Sequence, residues 1–311
     1  MINKIKIAVF GCRHNTRDFI ETLIKHGIEI SLLVTIDNNA AEKNQVSGYS
    51  DMSSMSEIKN IYVTNNYNLS DLNTSDLNLF TDFDIGLCIG WQRIIPKNIL
   101  DKFSQGIFGM HATQFHLPYG KGRSPINWGI IHNAKSLYAN IFKYDEYVDN
   151  GLIFSSKQMP LNLLDDINTT QQKLSLVFCD EVINLINSFK NNNVMLKKQD
   201  GDKGEYFYPK RTEDDGKINF NDNMDDIVNF VRAQTKPYPG AYILTSHNRY
   251  KVWKMIPCEL HLENIVNKPK NGQIIKHFLD GNIVISCNNG YVMLTDHDVP
   301  SKLSKDEVII I

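Results

Sequence analysis

The chain has 311 residues, 42% of them hydrophobic, with 33 basic against 35 acidic side chains and a net charge of −2. That length allows two domains, or one large domain with an appendage. The balanced charge, with no basic tail or run, argues against a nucleic-acid partner. The five cysteines (Cys12, Cys88, Cys179, Cys258, Cys287) are scattered and form no Cys-x-x-Cys pair. This argues against a zinc site or a disulfide framework and fits a reducing, cytoplasmic compartment. No apolar stretch approaches eighteen residues, so no membrane span is expected.

The opening MINKIKIAVFG reads as a strand rather than a signal peptide, because its apolar run is short and polar turn residues follow at once. Residues 5–11 form a nearly continuous apolar run, the pattern of a buried parallel strand. Residues 15–27 follow with Phe19, Leu23 and Ile24 at helical spacing and Gly27 as a stop, and 28–35 form the next strand. This is a β-α-β opening. Its first loop, GCRHNT, lacks the Gly-x-Gly-x-x-Gly fingerprint, so no nicotinamide or flavin cofactor is expected. Residues 36–60 are polar and suggest loops with a weak helix. Residues 83–91 form a third buried strand, 95–103 a short helix with proline in its first turn, and GIFGMH a fourth strand ending at His111. A helix over 124–134, alternating strands over 136–145 and 151–160, and a long amphipathic helix over 169–191 complete this half.

Beyond residue 200 the pattern changes. A helix over 223–234 and the turn TKPYPG precede short alternating runs, RYKVWKM, GQIIKHF and GNIVISCNNGYVMLTDHDV. The Asn-Asn-Gly at 288–290 is a hairpin signal. Short strands at regular spacing suggest a small barrel. The expectation is therefore an α/β, Rossmann-like open sheet over 1–200, followed by a smaller, mostly β, OB-like domain over 201–311.

Ligands of open α/β sheets sit outside the carboxyl ends of the strands. His111 stands at such an end, before a loop rich in Gly and Pro that carries Arg123. It reads either as a histidine packed in a loop or as a proton acceptor. His116 raises the thought of a metal pair, but the spacing fits no common ligand motif. Asp149, in the turn VDNG, is either turn chemistry or an acidic partner. Arg123 is either a solvated loop arginine or a group for an anionic ligand. Taken together, His111 and Asp149 could meet over the sheet as a base and the acid that orients it. There is no Gly-x-Ser-x-Gly elbow, so direct group transfer is more natural than a covalent intermediate.

The stretch MHATQFHLPYGKGRSPINWGII, followed by YDEYVDNGLI, resembles the folate-dependent formyltransferases, a family that includes methionyl-tRNA formyltransferase and bacterial sugar-nucleotide N-formyltransferases. His111, Leu117-Pro118, Gly122-Arg123, Pro125, Trp128 and Asp149-Asn150-Gly151 fall on the family pattern. GKINFNDNMDDIVNFVRAQTKPYPGAY resembles the family's appended domain, where Ile-Arg-Ala and Pro-x-Pro-Gly-Ala motifs recur. The resemblance implies that His111 is the base and Asp149 its partner. It implies that 10-formyltetrahydrofolate is the co-substrate, held near Arg93, Ile94 and Ile95, by Arg123, and by Asp145, Glu146, Tyr147 and Val148. No metal is implied. One departure stands out: Gly109 occupies the place of the family's asparagine, which donates to the formyl oxygen. The resemblance leaves Gln114, His116 or a backbone N–H as replacement donors.

Residues 200–311 carry 14 Lys and Arg against 16 Asp and Glu, so a tRNA acceptor lacks its positive surface. The preferred acceptor is a nucleotide-linked amino sugar, such as a dTDP-amino-dideoxy sugar, serving surface polysaccharide (lipopolysaccharide) synthesis. Methionyl-tRNA, and a weakened folate- or sugar-binding protein, stay open as alternatives. A homodimer is compatible with this reading.

Overall fold

A computed structural model describes residues 5–70, 72–201, 207–262, 269–301 and 309–310. These form two compact units. One holds Met1–Gly122, Ser136–Met159 and Gln172–Phe207; the other holds Arg123–Lys135, Pro160–Gln171 and Tyr208–Ile311.

In chain order the first part contains β1 (Ile7–Phe10), α1 (His14–Lys25), β2 (Leu32–Ile36), α2 (Asn38–Lys43), β3 (Ile61–Thr64), α3 (Thr74–Asn78) and β4 (Phe83–Cys88). There follow α4 (Lys97–Leu100), β5 (Phe103–Thr113), β6 (Lys121–Gly122), α5 (Pro125–Ile131), β7 (Ser136–Lys143), β8 (Ile153–Pro160) and α6 (Ile167–Lys190). Seven strands make one sheet in the order β3-β2-β1-β4-β5-β7-β8. The first five are parallel, and β7 runs antiparallel to β5. Chain order reverses direction at β1 and β4, the switch point of a doubly wound sheet.

The strands read as continuous apolar runs because both faces are covered. Ile7 and Val9 point to one core with Phe19, Leu23, Val182 and Ile186. Ala8 and Phe10 point to the other with Phe80, Trp91 and Ile99.

The polar stretch expected to be loops and a weak helix contains α2, started by the Asp37 side chain accepting from Ala40 N at 2.7 Å. Strand β3, in the Asn-rich stretch after it, was not expected. Its IYVT run is an edge strand, and only Thr64 of it is fully buried, so it lacks the apolar signal of its neighbours.

The expected strand end at His111 is corrected. Strand β5 continues to Thr113, because β7 pairs with it at His111↔Asn140, Ala112↔Ala139 and Thr113↔Tyr138. The parallel partner β4 stops earlier, at Cys88↔Gly109. His111 therefore still lies past the carboxyl edge of the parallel part.

The second unit contains α7 (Met224–Arg232) after the short β9 (Phe207–Tyr208). Its sheet holds β10 (Ala241–Leu244), β11 (Arg249–Cys258), β12 (Ile274–His277), β13 (Ile283–Cys287) and β14 (Gly290–His297). These five strands are antiparallel in the order β10-β11-β14-β13-β12. The Asn-Asn turn closes the β13–β14 hairpin with Cys287 facing Gly290, as its sequence predicts. Ile227 and Val231 of α7 pack on Val252, Ile283, Ile285 and Leu294. That stripe is the apolar side of an amphipathic helix. Arg232, of Val231-Arg232-Ala233, is buried at its end. Its guanidinium donates to the carbonyls of Asp165 and Asn162, and its Nε to Asn229 Oδ1.

Candidate active site

Strand β5 supplies His111 by pairing on its far side only with β7, which leaves the side chain over the sheet edge. The imidazole is 8% exposed. Its Nε2 lies 2.8 Å from the carbonyl of Gly120. A carbonyl can only accept, so Nε2 carries a hydrogen and Nδ1 is the nitrogen left to exchange a proton. Nδ1 faces Asp149 Oδ2 at 3.6 Å. That separation is too long for a hydrogen bond and within ion-pair range once the ring is protonated.

Asp149 is held by its surroundings. Its φ is +49°, a left-handed conformation that Asp tolerates better than most residues. Its Oδ2 accepts from the backbone N–H of Gly122 at 3.2 Å. Gln199 Nε2 donates to the carbonyls of both Asp149 and Gly151, each at 3.0 Å, and so ties down the turn. A Cβ at Gly151 would lie 1.7 Å from the carbonyl of Lys143, so this position of the Asp-Asn-Gly turn admits only glycine. The sequence therefore brings His111 and Asp149 together from segments far apart in the chain.

The other expected residues divide. His116 is exposed past the end of β5. Its ring lies 3.9 Å from that of Tyr138, and its Nδ1 is 2.8 Å from Ser156 Oγ. Ser156 donates to Asn140 Oδ1 at 2.6 Å, so His116 Nδ1 is the donor and its Nε2 is the free acceptor. Gln114 is half-buried in the turn after β5. Arg93 stacks on Tyr67 at 4.6 Å and donates to Asn44 Oδ1 and the Gln92 carbonyl. Ile94 is 63% exposed, whereas Ile95 is 2% exposed in the core, which leaves only its backbone to a ligand. Asp145 organises its own loop, accepting from Tyr147 N and from Asn150 Nδ2, each at 2.9 Å. Tyr147 and Val148 are 69% and 50% exposed, and Glu146 is exposed as well. Arg123 belongs to the second unit, where its backbone N–H donates to Tyr208 O and its side chain is exposed.

Two residues of the site were not singled out in the sequence. Lys121, in the same Gly/Pro loop as Arg123, is only 1% exposed, and its Nζ lies 3.5 Å from Asn150 Oδ1. A buried lysine one residue from the Gly122 that holds Asp149 places positive charge at this edge. The signal was a cation inside the glycine loop, next to a more conspicuous arginine. Tyr144 lies over Gly109: a Cβ built there would meet the ring's Cε1 at 1.8 Å and the hydroxyl oxygen at 2.4 Å. Burial, then the neighbouring Cys88 and Asp149, raise the phenol's pKa well above its ordinary value. Burial likewise pushes the Cys88 thiol up to about 12. Both groups stay protonated at neutral pH. Among the described residues, no cluster of His, Cys, Asp and Glu is placed to hold a metal ion, and no helix is long and apolar enough to cross a membrane.

Comparison with known proteins identifies the family. Methionyl-tRNA formyltransferase of Buchnera aphidicola is 25% identical over 276 residues, spanning 87% of either chain. The fold matches the crystal structure of WlaRD, a sugar 3N-formyl transferase crystallised with dTDP and 5-N-formyl-THF. The TM-score is 0.61 at 17% identity, covering 95% of this chain and 98% of that one. It also matches an N-formyltransferase from Helicobacter canadensis in complex with folinic acid and dTDP-3-aminofucose, with a TM-score of 0.61, 18% identity and coverage of 94% and 100%. The family models "Formyl transferase" and "Formyl transferase, C-terminal domain" match residues 3–177 and 210–304, so the chain belongs to the formyl transferase family.

Proposed function

We propose that this protein is an N-formyltransferase that moves a formyl group from 10-formyltetrahydrofolate to the amine of a nucleotide-linked amino sugar. The observation that carries the reading is the His111 Nδ1–Asp149 Oδ2 approach of 3.6 Å on the edge of a formyl transferase sheet.

The co-substrate supplies an activated formyl carbon. The attacking amine must lose a proton, and Nδ1 of His111 takes it, since Nε2 is engaged with Gly120. Asp149 then offsets the imidazolium charge. The proton passes to the departing N10 of tetrahydrofolate, so one N–H is lost and one gained, and one C–N bond replaces another. A positioned base of this kind contributes about 10²- to 10⁴-fold.

The loops that follow β4 and β7 fit an extended aromatic co-substrate. Ile94, Tyr147 and Val148 leave 63%, 69% and 50% of their surfaces in water, apolar area that a flat ring system would cover. Glu146, in the loop after β7, lies within electrostatic reach of Lys97 at the start of α4. His111 and Asp149 remain the proposed base and its partner, and Arg93, Ile94, Ile95, Arg123, Asp145, Glu146, Tyr147 and Val148 the proposed folate-binding set.

The acceptor reading rests on charge. With 14 basic and 16 acidic residues from 200 to 311, this part of the chain offers no net attraction to tRNA phosphates. A nucleoside diphosphate needs far fewer cations. The dTDP and dTDP-3-aminofucose named for the two fold neighbours support the same class. A second reading, methionyl-tRNA as acceptor, draws on the name of the Buchnera relative.

The test is incubation with 10-formyltetrahydrofolate and either a panel of nucleotide-linked amino sugars or methionyl-tRNA, followed by mass spectrometry, with His111→Ala as control. Formylation of a sugar amine, lost in the control, supports the proposal. Formylation of methionyl-tRNA with every sugar untouched refutes its acceptor half.

A further inference from the structure

Transfer of a formyl group to an amine gathers negative charge on the formyl oxygen, and an aimed donor there is worth much of the rate. The His111–Asp149 pair handles the proton and supplies no such donor.

Gly109 and His111 are two apart on β5, and side chains two apart share a face of the sheet. The face above Gly109 is filled by Tyr144, which follows β7 with its backbone N–H on the carbonyl of Ile107 at 2.7 Å. The phenol oxygen stands 2.4 Å from the point where a Cβ at 109 would be, about the reach of a short amide side chain from that atom. Any residue but glycine at 109 would collide with the ring, so Gly109 and Tyr144 form one unit. Cys88 faces Gly109 across the β4–β5 ladder, and its thiol interacts with the Tyr144 hydroxyl. A thiol is a weak partner, one that a stronger acceptor can displace. Asp149 lies close enough for its charge to act on the same phenol. Gly109, beneath the Tyr144 ring, and His111 thus share one face of β5, and the Asp149 that faces His111 also acts on the phenol. His116, by contrast, is fixed on Tyr138 and Ser156 past the strand end.

We infer that the Tyr144 hydroxyl donates a hydrogen bond to the formyl oxygen during transfer, from a position that Gly109 opens for it; this rests on the formyl-transfer reading above. The phenol gives no proton away. It holds its hydrogen, as its burial requires, while the oxygen gains charge when the amine attacks and loses it when N10 departs.

Tyr144→Phe removes one oxygen and keeps the ring over Gly109. With 10-formyltetrahydrofolate and the accepted amino sugar, kcat should fall about 10²- to 10³-fold, with KM for both substrates little changed. A second readout is independent of turnover. With 10-formyltetrahydrofolate carrying ¹³C in the formyl group, the infrared carbonyl band of the bound ligand should move to higher wavenumber in Tyr144→Phe. Wild-type transfer with an unchanged kcat and band in Tyr144→Phe overturns the inference alone. Absence of transfer by the wild type to any amine overturns the formyl-transfer reading and this inference with it. If Tyr144→Phe fails to fold, Tyr144→Ala is compared with Gly109→Asn/Tyr144→Ala. Recovery of at least tenfold in the double variant, whose amide now has room, supports the inference, and no recovery overturns it.

Discussion

His111 Nδ1 and Asp149 Oδ2 face each other at 3.6 Å without a hydrogen bond between them. Each is fixed by other groups: the imidazole by the carbonyl of Gly120, the carboxylate by the N–H of Gly122. The two anchors come from one short loop, so the loop sets the separation. The gap leaves Nδ1 available to a proton, and the carboxylate's attraction grows only once the ring has taken it. On the proposed function, the pair acts in the reaction and adds little to the stability of the resting fold.

Asp149→Asn should therefore lower kcat/KM by about 10²- to 10⁴-fold and leave the melting temperature close to that of the wild type. The amide keeps the shape and the contact with Gly122 but supplies no charge. Residues that act as a unit lose function together. Steady-state rates of His111→Ala and His111→Ala/Asp149→Asn should thus be nearly equal. Losses that multiply would show two independent roles.

Gly109→Ala tests the fit of strand and ring through stability alone. Its methyl would lie 1.8 Å from Tyr144 Cε1, so the ring must move. Overpacking of this kind costs about 1–3 kcal/mol, read as a lower denaturant midpoint at constant slope. Adding Tyr144→Ala to Gly109→Ala should return part of that loss. An alanine at 109 that leaves the midpoint unchanged would mean that Tyr144 is free to swing away.

Much of the fold could be read from sequence because its strands and helices carry their own periodicity. The run IAVF and the long α6 are examples, each apolar where it is covered. The edge strand β3 escaped because three of its four residues are only partly covered or exposed. That His111 and Asp149 meet was suggested by their places at two strand ends, although the strand runs two residues past the histidine because β7 pairs there. Tyr144 and Lys121 were not legible. One owes its meaning to the strand that lies beneath it, and the other to being buried, and neither property is written in a local pattern.

Arg232 illustrates a motif residue whose role is structural. It is 8% exposed, and its guanidinium reaches the carbonyls of Asp165 and Asn162 and the side chain of Asn229. Arg232→Met keeps much of the apolar volume and leaves these acceptors unpaired, at about 1–3 kcal/mol for each buried group. The second unit should melt earlier, as followed by hydrogen exchange of α7 amides. Arg232→Lys should recover part of the loss, because one charged donor remains. Equal stability of the Met and Lys variants would show that the stem alone matters.

The five buried thiols should make the fold lose stability at alkaline pH. All are buried, with exposures from 0% for Cys12 to 9% for Cys258. Burial raises the pKa of every one, pushing Cys179 up to about 11 from an ordinary 9.0. The folded chain thus holds these protons more tightly than the unfolded chain. The linkage slope follows protons bound in the unfolded minus the folded state, which is negative between the two pKa values. The stability from the protonated thiol is fully present below pH 9 and is lost as pH climbs toward 11. The melting temperature should stay level from pH 7 to 8 and drop steadily above 9. Cys179→Ala should flatten part of that drop. In the same protein at pH 8, a thiol reagent should find none of the five cysteines until denaturant is added, since a buried, protonated thiol is neither accessible nor nucleophilic. Rapid labelling of Cys179 in the native state would contradict the packing of α6 against the sheet.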